Sequence, residues 1–293
     1  MARRQPPSTH GLAVVDKPAG VTSHDVVGML RRRFSERQVG HAGTLDPDAT
    51  GVLLVGVGRA TRLLRFLTDL GKTYSGEVVF GSTTDSLDST GAVTATFEMA
   101  SLTEERVREA VQQHLTGSIL QIPPMVSAVK VDGRRLYELA REGVEIERAP
   151  RPVVIHRFDV AATADPLVYT IKVQCSKGTY IRTLADDLGR LCGGGAHLRH
   201  LRRVAVGSFN ADEAVGPDDV QLLTLPQAVR DYPAIAVSEA LATMVRNGRV
   251  LTRDECGAAG AGPWAVLAPG GELLAMYEAV DDERVKPAVV LPL

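Results

Sequence analysis

The sequence predicts an α+β fold, one large domain followed by a small β-rich module. Three observations carry that expectation. Strand-like and helix-like segments mix irregularly, without the steady β-α-β-α rhythm of a doubly wound sheet. Tyr169, Ile171, Val173 and Cys175 alternate with Thr170, Lys172 and Gln174, the pattern of a half-buried strand. Near Asp231-Tyr232-Pro233 the charge changes sign: residues 1–230 carry 28 basic against 26 acidic side chains, and residues 231–293 carry 5 against 9. The chain is therefore read as a domain over 1–230 and a module over 231–293.

Each element follows from local pattern. Gly11 to Val15 reads as a strand ended by the turn Asp16-Lys17-Pro18-Ala19-Gly20. Thr22 or Ser23 caps a helix whose apolar positions are Val26, Val27, Leu30 and Phe34. Arg37 to Thr50, punctuated by Gly and Pro, is expected to be irregular, and Val52 to Val57 to be a buried strand. A helix over Thr61 to Leu70 and a strand over Tyr74 to Phe80 follow. Leu102 to Leu115 reads as a helix with Ser101 and Glu104 at capping-box spacing. The basic stretch 123–152 looks like an excursion from the core, with one helical piece around Leu136, Leu139 and Ala140. Ile181, Leu184, Ala185, Leu188 and Leu191 trace a helix. In the last segment, Trp264 to Ala268, Pro269-Gly270-Gly271 and Leu273 to Tyr277 give a hairpin.

Composition narrows the function. The chain has 293 residues, 44% apolar and 23% charged, enough to bury a core and unlike a disordered or fibrous chain. Its longest apolar run, about Gly51 to Gly58, is far short of the roughly 18 residues of a membrane span. Met1 to Pro7 leads into no apolar segment of the kind a secretory signal has. Three widely spaced cysteines, Cys175, Cys192 and Cys256, fit a reducing cytoplasm rather than a disulfide framework or a thiolate metal site. Net charge is −2, yet arginines cluster at 31–33 with 37, at 59, 62 and 65, and at 199, 202 and 203. Such patches allow phosphate contacts, although each alone is more simply a solvated face. The acidic balance of residues 231–293 makes that segment a poor phosphate binder.

Generic sites fail on spacing. Gly71-Lys72-Thr73 lacks the earlier glycine of a phosphate-binding loop, Gly56-Val57-Gly58 lacks the third glycine of a dinucleotide fingerprint, and no H-E-x-x-H pair exists. Gly40-His41-Ala42-Gly43-Thr44-Leu45-Asp46-Pro47-Asp48-Ala49-Thr50-Gly51-Val52-Leu53 is different. Proline keeps Asp46 extended, and the flanking glycines let the chain fold tightly and present its carboxylate from a stiff loop, suited to nucleophilic or acid–base work. Asp-Pro alone is most often only a turn. Asp48 also permits a metal reading, but no nearby His or Glu completes the ligands.

That stretch resembles the catalytic signature of the TruB family of tRNA pseudouridine-55 synthases. Five further segments match in order: Asp16-Lys17-Pro18-x-Gly20-x-Thr22-Ser23; Lys72-x-Tyr74; Gln121-Ile122-Pro123-Pro124-x-x-Ser127-Ala128-x-Lys130; Cys175-Ser176-Lys177-Gly178-Thr179-Tyr180-Ile181-Arg182-x-Leu184; and Leu201-Arg202-Arg203. Together they span about residues 11–210. The resemblance implies a pseudouridine-synthase domain on a mixed, largely antiparallel sheet with flanking helices. It also implies a C-terminal module like a PUA domain, for which no firm motif appears.

The implied reaction isomerises uridine 55 in the tRNA T-loop to pseudouridine after base flipping, in a cytoplasmic monomer, with no cofactor and no metal. The family's aspartate maps onto Asp46, whether it attacks ribose or base or abstracts a proton. Arg182 maps onto the arginine that pairs with it, and Tyr74 onto the tyrosine that stacks on the uracil. Were 180–182 extended, Tyr180 would point to the same side as Arg182. His41 maps onto the residue that fills the vacated space, and Leu201 onto one that contacts the flipped base. Lys17 supports the active-site loop or contacts phosphate. The arginine clusters and the 123–152 excursion would grip the T-arm. Two rivals remain: an RNA-binding protein without chemistry, and a metal-dependent hydrolase using Asp46 and Asp48.

Overall fold

A computed structural model describes residues 9–127, 130–131, 134–135, 142–144 and 146–291. The helical piece read around Leu136, Leu139 and Ala140, and the N-terminal residues Met1 to Pro7, lie outside the described residues. The chain divides into two compact units, Met1–Asp69 with Val206–Leu293, and Leu70–Ala205.

The first unit opens with β1 (Gly11–Lys17) and α1 (Ser23–Arg33). Thr22 caps α1: its hydroxyl accepts from the Asp25 N–H at 3.0 Å while the Asp25 carboxylate accepts from the Thr22 N–H at 2.8 Å. Val26, Val27 and Leu30 then pack on Ala13, Val15, Leu53 and Val55. β2 (Val39–Ala42) pairs antiparallel with β3 (Thr50–Val57), Val39 opposite Val57 and Ala42 opposite Leu54. This corrects the expectation of an irregular 37–50. Four residues including a glycine are too short to show alternation, and the pairing along β3 makes them a strand. β1 lies on the other side of β3, Gly11 opposite Val57 and Lys17 opposite Gly51. The helix expected from Thr61 begins as a 3-10 turn over Gly58–Leu63 and becomes α-helical only in α2 (Leu64–Asp69).

The second unit contains β4 (Lys72–Phe80), β5 (Ser82–Thr84), β6 (Val93–Thr96), α3 (Glu104–His114) and β7 (Gly117–Gln121). The short β8 (Lys130–Val131) and β9 (Arg134–Arg135) follow, then β10 (Arg151–Ala162), β11 (Val168–Cys175), α4 (Ile181–Leu191) and β12 (Ala196–Val206). Its strands run β12-β4-β11-β10-β7. β11 is antiparallel to both neighbours, with Tyr74 opposite Val173 and Lys72 opposite Cys175. The alternation read in β11 holds: Tyr169, Ile171, Val173 and Cys175 are buried, and the residues between them exposed. Ile181, Leu184, Ala185 and Leu188 are buried as expected, whereas Leu191 is 38% exposed. The α3 cap is Thr103, accepting from the Arg106 N–H, and not Ser101. Glu104 is the first helical residue rather than the third, so the capping-box spacing there was coincidental.

The chain returns to the first unit with β13 (Phe209–Asn210), β14 (Leu222–Leu223), α5 (Leu225–Ala228), β15 (Ala234–Ala236) and α6 (Glu239–Arg246). It ends in β16 (Leu251–Thr252), α7 (Arg253–Cys256), β17 (Trp264–Leu267), β18 (Leu273–Ala279) and β19 (Arg284–Val290). A separate five-stranded sheet, β15-β17-β18-β19-β16, starts at Ala234, just past the charge boundary. The hairpin read from Pro269-Gly270-Gly271 joins β17 and β18, with Trp264 opposite Tyr277. Both rings are buried and both polar ends are bonded, Trp264 Nε1 to the Ala259 carbonyl at 2.7 Å and the Tyr277 hydroxyl to the Arg249 carbonyl at 2.8 Å. Tyr232 precedes this sheet and donates to the Phe66 carbonyl of α2 at 2.8 Å. Among the described residues no helix is long and apolar enough to cross a membrane.

Candidate active site

The loop from β2 to β3 carries Asp46. Gly43 opens it at φ +87°, a backbone state that glycine adopts without strain. Leu45 and Ala49, each 3% exposed, fix it on the core. The Ala49 N–H donates to the Asp46 carbonyl at 3.1 Å, closing a turn over Pro47 and Asp48. Asp46 itself stays half-buried.

The segment after β1 grips this loop on both sides of the aspartate. The Ser23 hydroxyl accepts from the Leu45 N–H at 2.9 Å and donates to the Leu45 carbonyl at 3.1 Å. The Pro47 carbonyl accepts from the Gly20 N–H at 3.0 Å and from Lys17 Nζ at 2.8 Å. Lys17 is fully buried, and its Nζ also donates to the carbonyls of Val21 at 2.7 Å and Pro18 at 2.9 Å. Of the two roles open for Lys17, this geometry fits loop support. With no exposed surface, its ammonium faces main-chain carbonyls.

In the second unit the start of α4 is the meeting point. Arg182 is 3% exposed, and its fork sends Nη1 to the Ser86 carbonyl and Nη2 to the Val126 carbonyl, each at 2.9 Å. Its Nε lies 3.6 Å from Asp88 Oδ2. The other Asp88 oxygen accepts from the Ser86 hydroxyl at 2.7 Å, the Thr90 hydroxyl at 2.6 Å and the Thr90 N–H at 3.0 Å, so the counter-charge is itself held in place. Tyr180 is the N-cap of α4 in an extended conformation and Arg182 is the second helical residue. The expectation that both side chains point to one side, drawn from strand periodicity, therefore fails: the helix starts between them. Sequence reading assigned no role to Asp88 or Ser86. Their only local signal is Ser86-x-Asp88-x-Thr90, a turn-forming pattern.

The remaining candidates are placed as follows. Tyr74 sits on β4 and is 8% exposed. His41 is half-buried on β2, opposite Val55. Leu201 is half-buried on β12, just after His200, whose φ of +54° interrupts the strand's regular alternation. Gly76 makes room for this, since a Cβ there would lie 3.3 Å from the Arg199 carbonyl oxygen and 3.5 Å from the Leu201 Cα.

Several clustered arginines have partners within the chain. Arg31 and Arg33 donate to the carbonyls of Val39 and Val220, and Arg62 to that of Val290. Arg65 pairs with Glu278, Arg199 pairs with Glu77, and Arg203 is buried. Arg31, Arg32, Arg33, Arg37, Arg62 and Arg65 are all exposed. All three cysteines are free and buried; burial pushes the Cys175 thiol up to about 11, far from a reactive thiolate. Among the described residues no three His, Cys, Asp or Glu side chains group closely enough to hold a metal ion.

Comparison with known proteins shows the family and the fold. Family models match successive stretches: TruB family pseudouridylate synthase (N terminal domain) over residues 31–181, tRNA pseudouridylate synthase B C-terminal domain over 182–238, and tRNA Pseudouridine synthase II, C terminal, over 232–292. The tRNA pseudouridine synthase B of Mycobacteroides abscessus is 45% identical over 291 residues, covering 96% of this chain and 92% of its own. That of Bacillus pumilus is 38% identical over 301 residues, covering 96% and 97%. Among solved structures, a Cbf5-Nop10-Gar1 complex aligns with a TM-score of 0.73 at 24% identity over 96% of this chain and 85% of that one. An H/ACA RNP bound to a substrate RNA containing 2'-deoxyuridine gives 0.71 at 21% identity over 97% and 85%. These two show a shared fold.

Proposed function

The chain belongs to the TruB family of pseudouridylate synthases, which isomerise uridine in tRNA, and we propose that its target is uridine 55 of the T-loop and that Asp46 is the reacting carboxylate. In that reaction the N1–C1′ bond breaks, the uracil turns, C5 bonds to C1′ and the C5 proton leaves. The product is an isomer of the substrate, so nothing is oxidised or hydrolysed and the chemistry calls for no cofactor.

The single observation that carries the reading is the grip on the Asp46 loop. Five hydrogen bonds from Lys17, Gly20 and Ser23 and within the turn fix the backbone on either side of one half-buried carboxylate. A group that must meet one ribose or base atom gains rate from such prior positioning. The uridine lies within a folded loop and must be extruded to reach it. In the proposal Tyr74 stacks on the extruded uracil beside the C5 proton, Leu201 contacts the base, and His41 fills the space it leaves. Arg182 supplies the positive charge that the resemblance assigns to the aspartate, and Tyr180 contributes to the same substrate pocket. The RNA is held by its T-arm, with residues 1–230 as catalytic domain and 231–293 as a PUA-like module. The protein acts as a cytoplasmic monomer.

The test is site-specific. Unmodified tRNA transcript is incubated with the protein, digested and mapped for pseudouridine. Product at position 55 alone supports the assignment; product elsewhere, with a U55C transcript still modified, overturns the target.

A further inference from the structure

Gln121 ends β7 and is 2% exposed. Its side chain brackets the backbone of a single residue. Oε1 accepts from the Tyr180 N–H at 2.7 Å, and Nε2 donates to the Tyr180 carbonyl at 3.0 Å. That carbonyl also accepts the first intrahelical bond of α4, from the Leu184 N–H at 3.2 Å. Tyr180 is an N-cap whose own side chain makes no capping bond, so helix α4 begins without the usual local device. From 59 residues away in sequence, Gln121 Oε1 satisfies the N-cap N–H, the part that a glutamine at the third helical position plays in a capping box.

Five residues beyond Gln121, the Val126 carbonyl takes the Arg182 Nη2 donor at 2.9 Å. Between these two ties run Pro123 and Pro124, which restrict the backbone, and Arg148 Nη1 holds the Pro123 carbonyl at 3.1 Å. The root of the 123–152 excursion and the first turn of α4 are thus joined at both Tyr180 and Arg182. We propose that Gln121 is a positioning residue for pseudouridine formation: it sets the backbone from which Tyr180 and Arg182 project. The proposal rests on the functional reading above. Gln121 acts through these two side chains and does not itself touch the RNA.

The test compares full-length wild type, Gln121→Met and Gln121→Glu in single-turnover assays on tRNA. Methionine keeps the volume and removes both hydrogen bonds. A neutral glutamic acid, the form that burial favours, still offers one donor and one acceptor. The expected result for Gln121→Met is a rate lower by on the order of tenfold to a hundredfold. Its tRNA Kd should stay within about twofold of wild type, at temperatures where its circular dichroism matches wild type. Gln121→Glu should retain more of the rate than Gln121→Met. A Gln121→Met rate equal to wild type overturns the proposal, as does a loss expressed wholly in tRNA affinity. Wild type that forms no pseudouridine overturns the functional reading and this proposal together.

Discussion

The Lys17 ammonium donates to the carbonyl of Pro47 at 2.8 Å, so the residue next to Asp46 is tied to a cation with no exposed surface. A buried charge is costly unless its donors are satisfied. Here two further carbonyls, of Pro18 and Val21, also accept from it. The arrangement stiffens the loop because moving Pro47 would strand part of an ammonium.

Lys17→Met keeps the length of the side chain and removes the charge, taking one donor from each of three carbonyls, of which that of Pro47 keeps the Gly20 N–H. Urea unfolding should show a loss of about 2–4 kcal/mol. Pseudouridine formation should slow on the order of a hundredfold, as expected when a reacting group shifts by about 1 Å. Wild-type turnover in this variant would show that the clamp does not position Asp46.

Arg182→Lys tests whether the fork matters beyond its charge. A lysine cannot serve the Ser86 and Val126 carbonyls and the Asp88 carboxylate from one planar head. Turnover should fall at least a hundredfold, with the circular dichroism spectrum retained. If the lysine variant turns over normally, a point charge suffices and the geometric argument for Arg182 is wrong.

The sequence is legible where periodicity carries the information and silent where backbone carbonyls do. The β11 alternation, the α1 stripe and the β17–β18 hairpin follow directly from residue patterns. The Asp46 loop is legible from its glycines and Asp-Pro step. Of the clamp, only loop support by Lys17 is foreshadowed, as one of two roles; its carbonyl partners and the part of Ser23 are not, since both residues act on main-chain atoms of Pro47 and Leu45 that any residue would supply. The same holds for Gln121 and for two of the Arg182 partners. β2 escaped notice because a short strand gains its identity from pairing. Strand geometry was applied to Tyr180 and Arg182 across a helix start that the apolar stripe from Ile181 already marks.

Alkaline pH should destabilise the C-terminal sheet. Burial pushes the Tyr277 hydroxyl up to about 12, with Cys256 adding to it, and likewise Tyr232, with Asp69 and Asp231 adding. In the unfolded chain a tyrosine titrates near its usual ~10. Both folded values are raised, so the stability these hydroxyls contribute is fully present below about pH 10 and is lost as pH rises through about 12. Urea midpoints measured from pH 8 to pH 11.5 should fall at the upper end. Tyr277→Phe should start about 1 kcal/mol lower, having lost its bond to the Arg249 carbonyl, and fall less steeply. Equal slopes for the variant and wild type would contradict the assignment.

The central claim is that a rigidly presented Asp46 carboxylate isomerises a tRNA uridine, and tritium release from uridine C5 tests it most directly. Unmodified tRNA transcript tritiated at C5 is mixed with wild type or with Asp46→Asn, and binding is measured alongside. The account predicts release of the position-55 label by wild type and none by Asp46→Asn, with tRNA affinity nearly unchanged. Release by Asp46→Asn at the wild-type rate would contradict it.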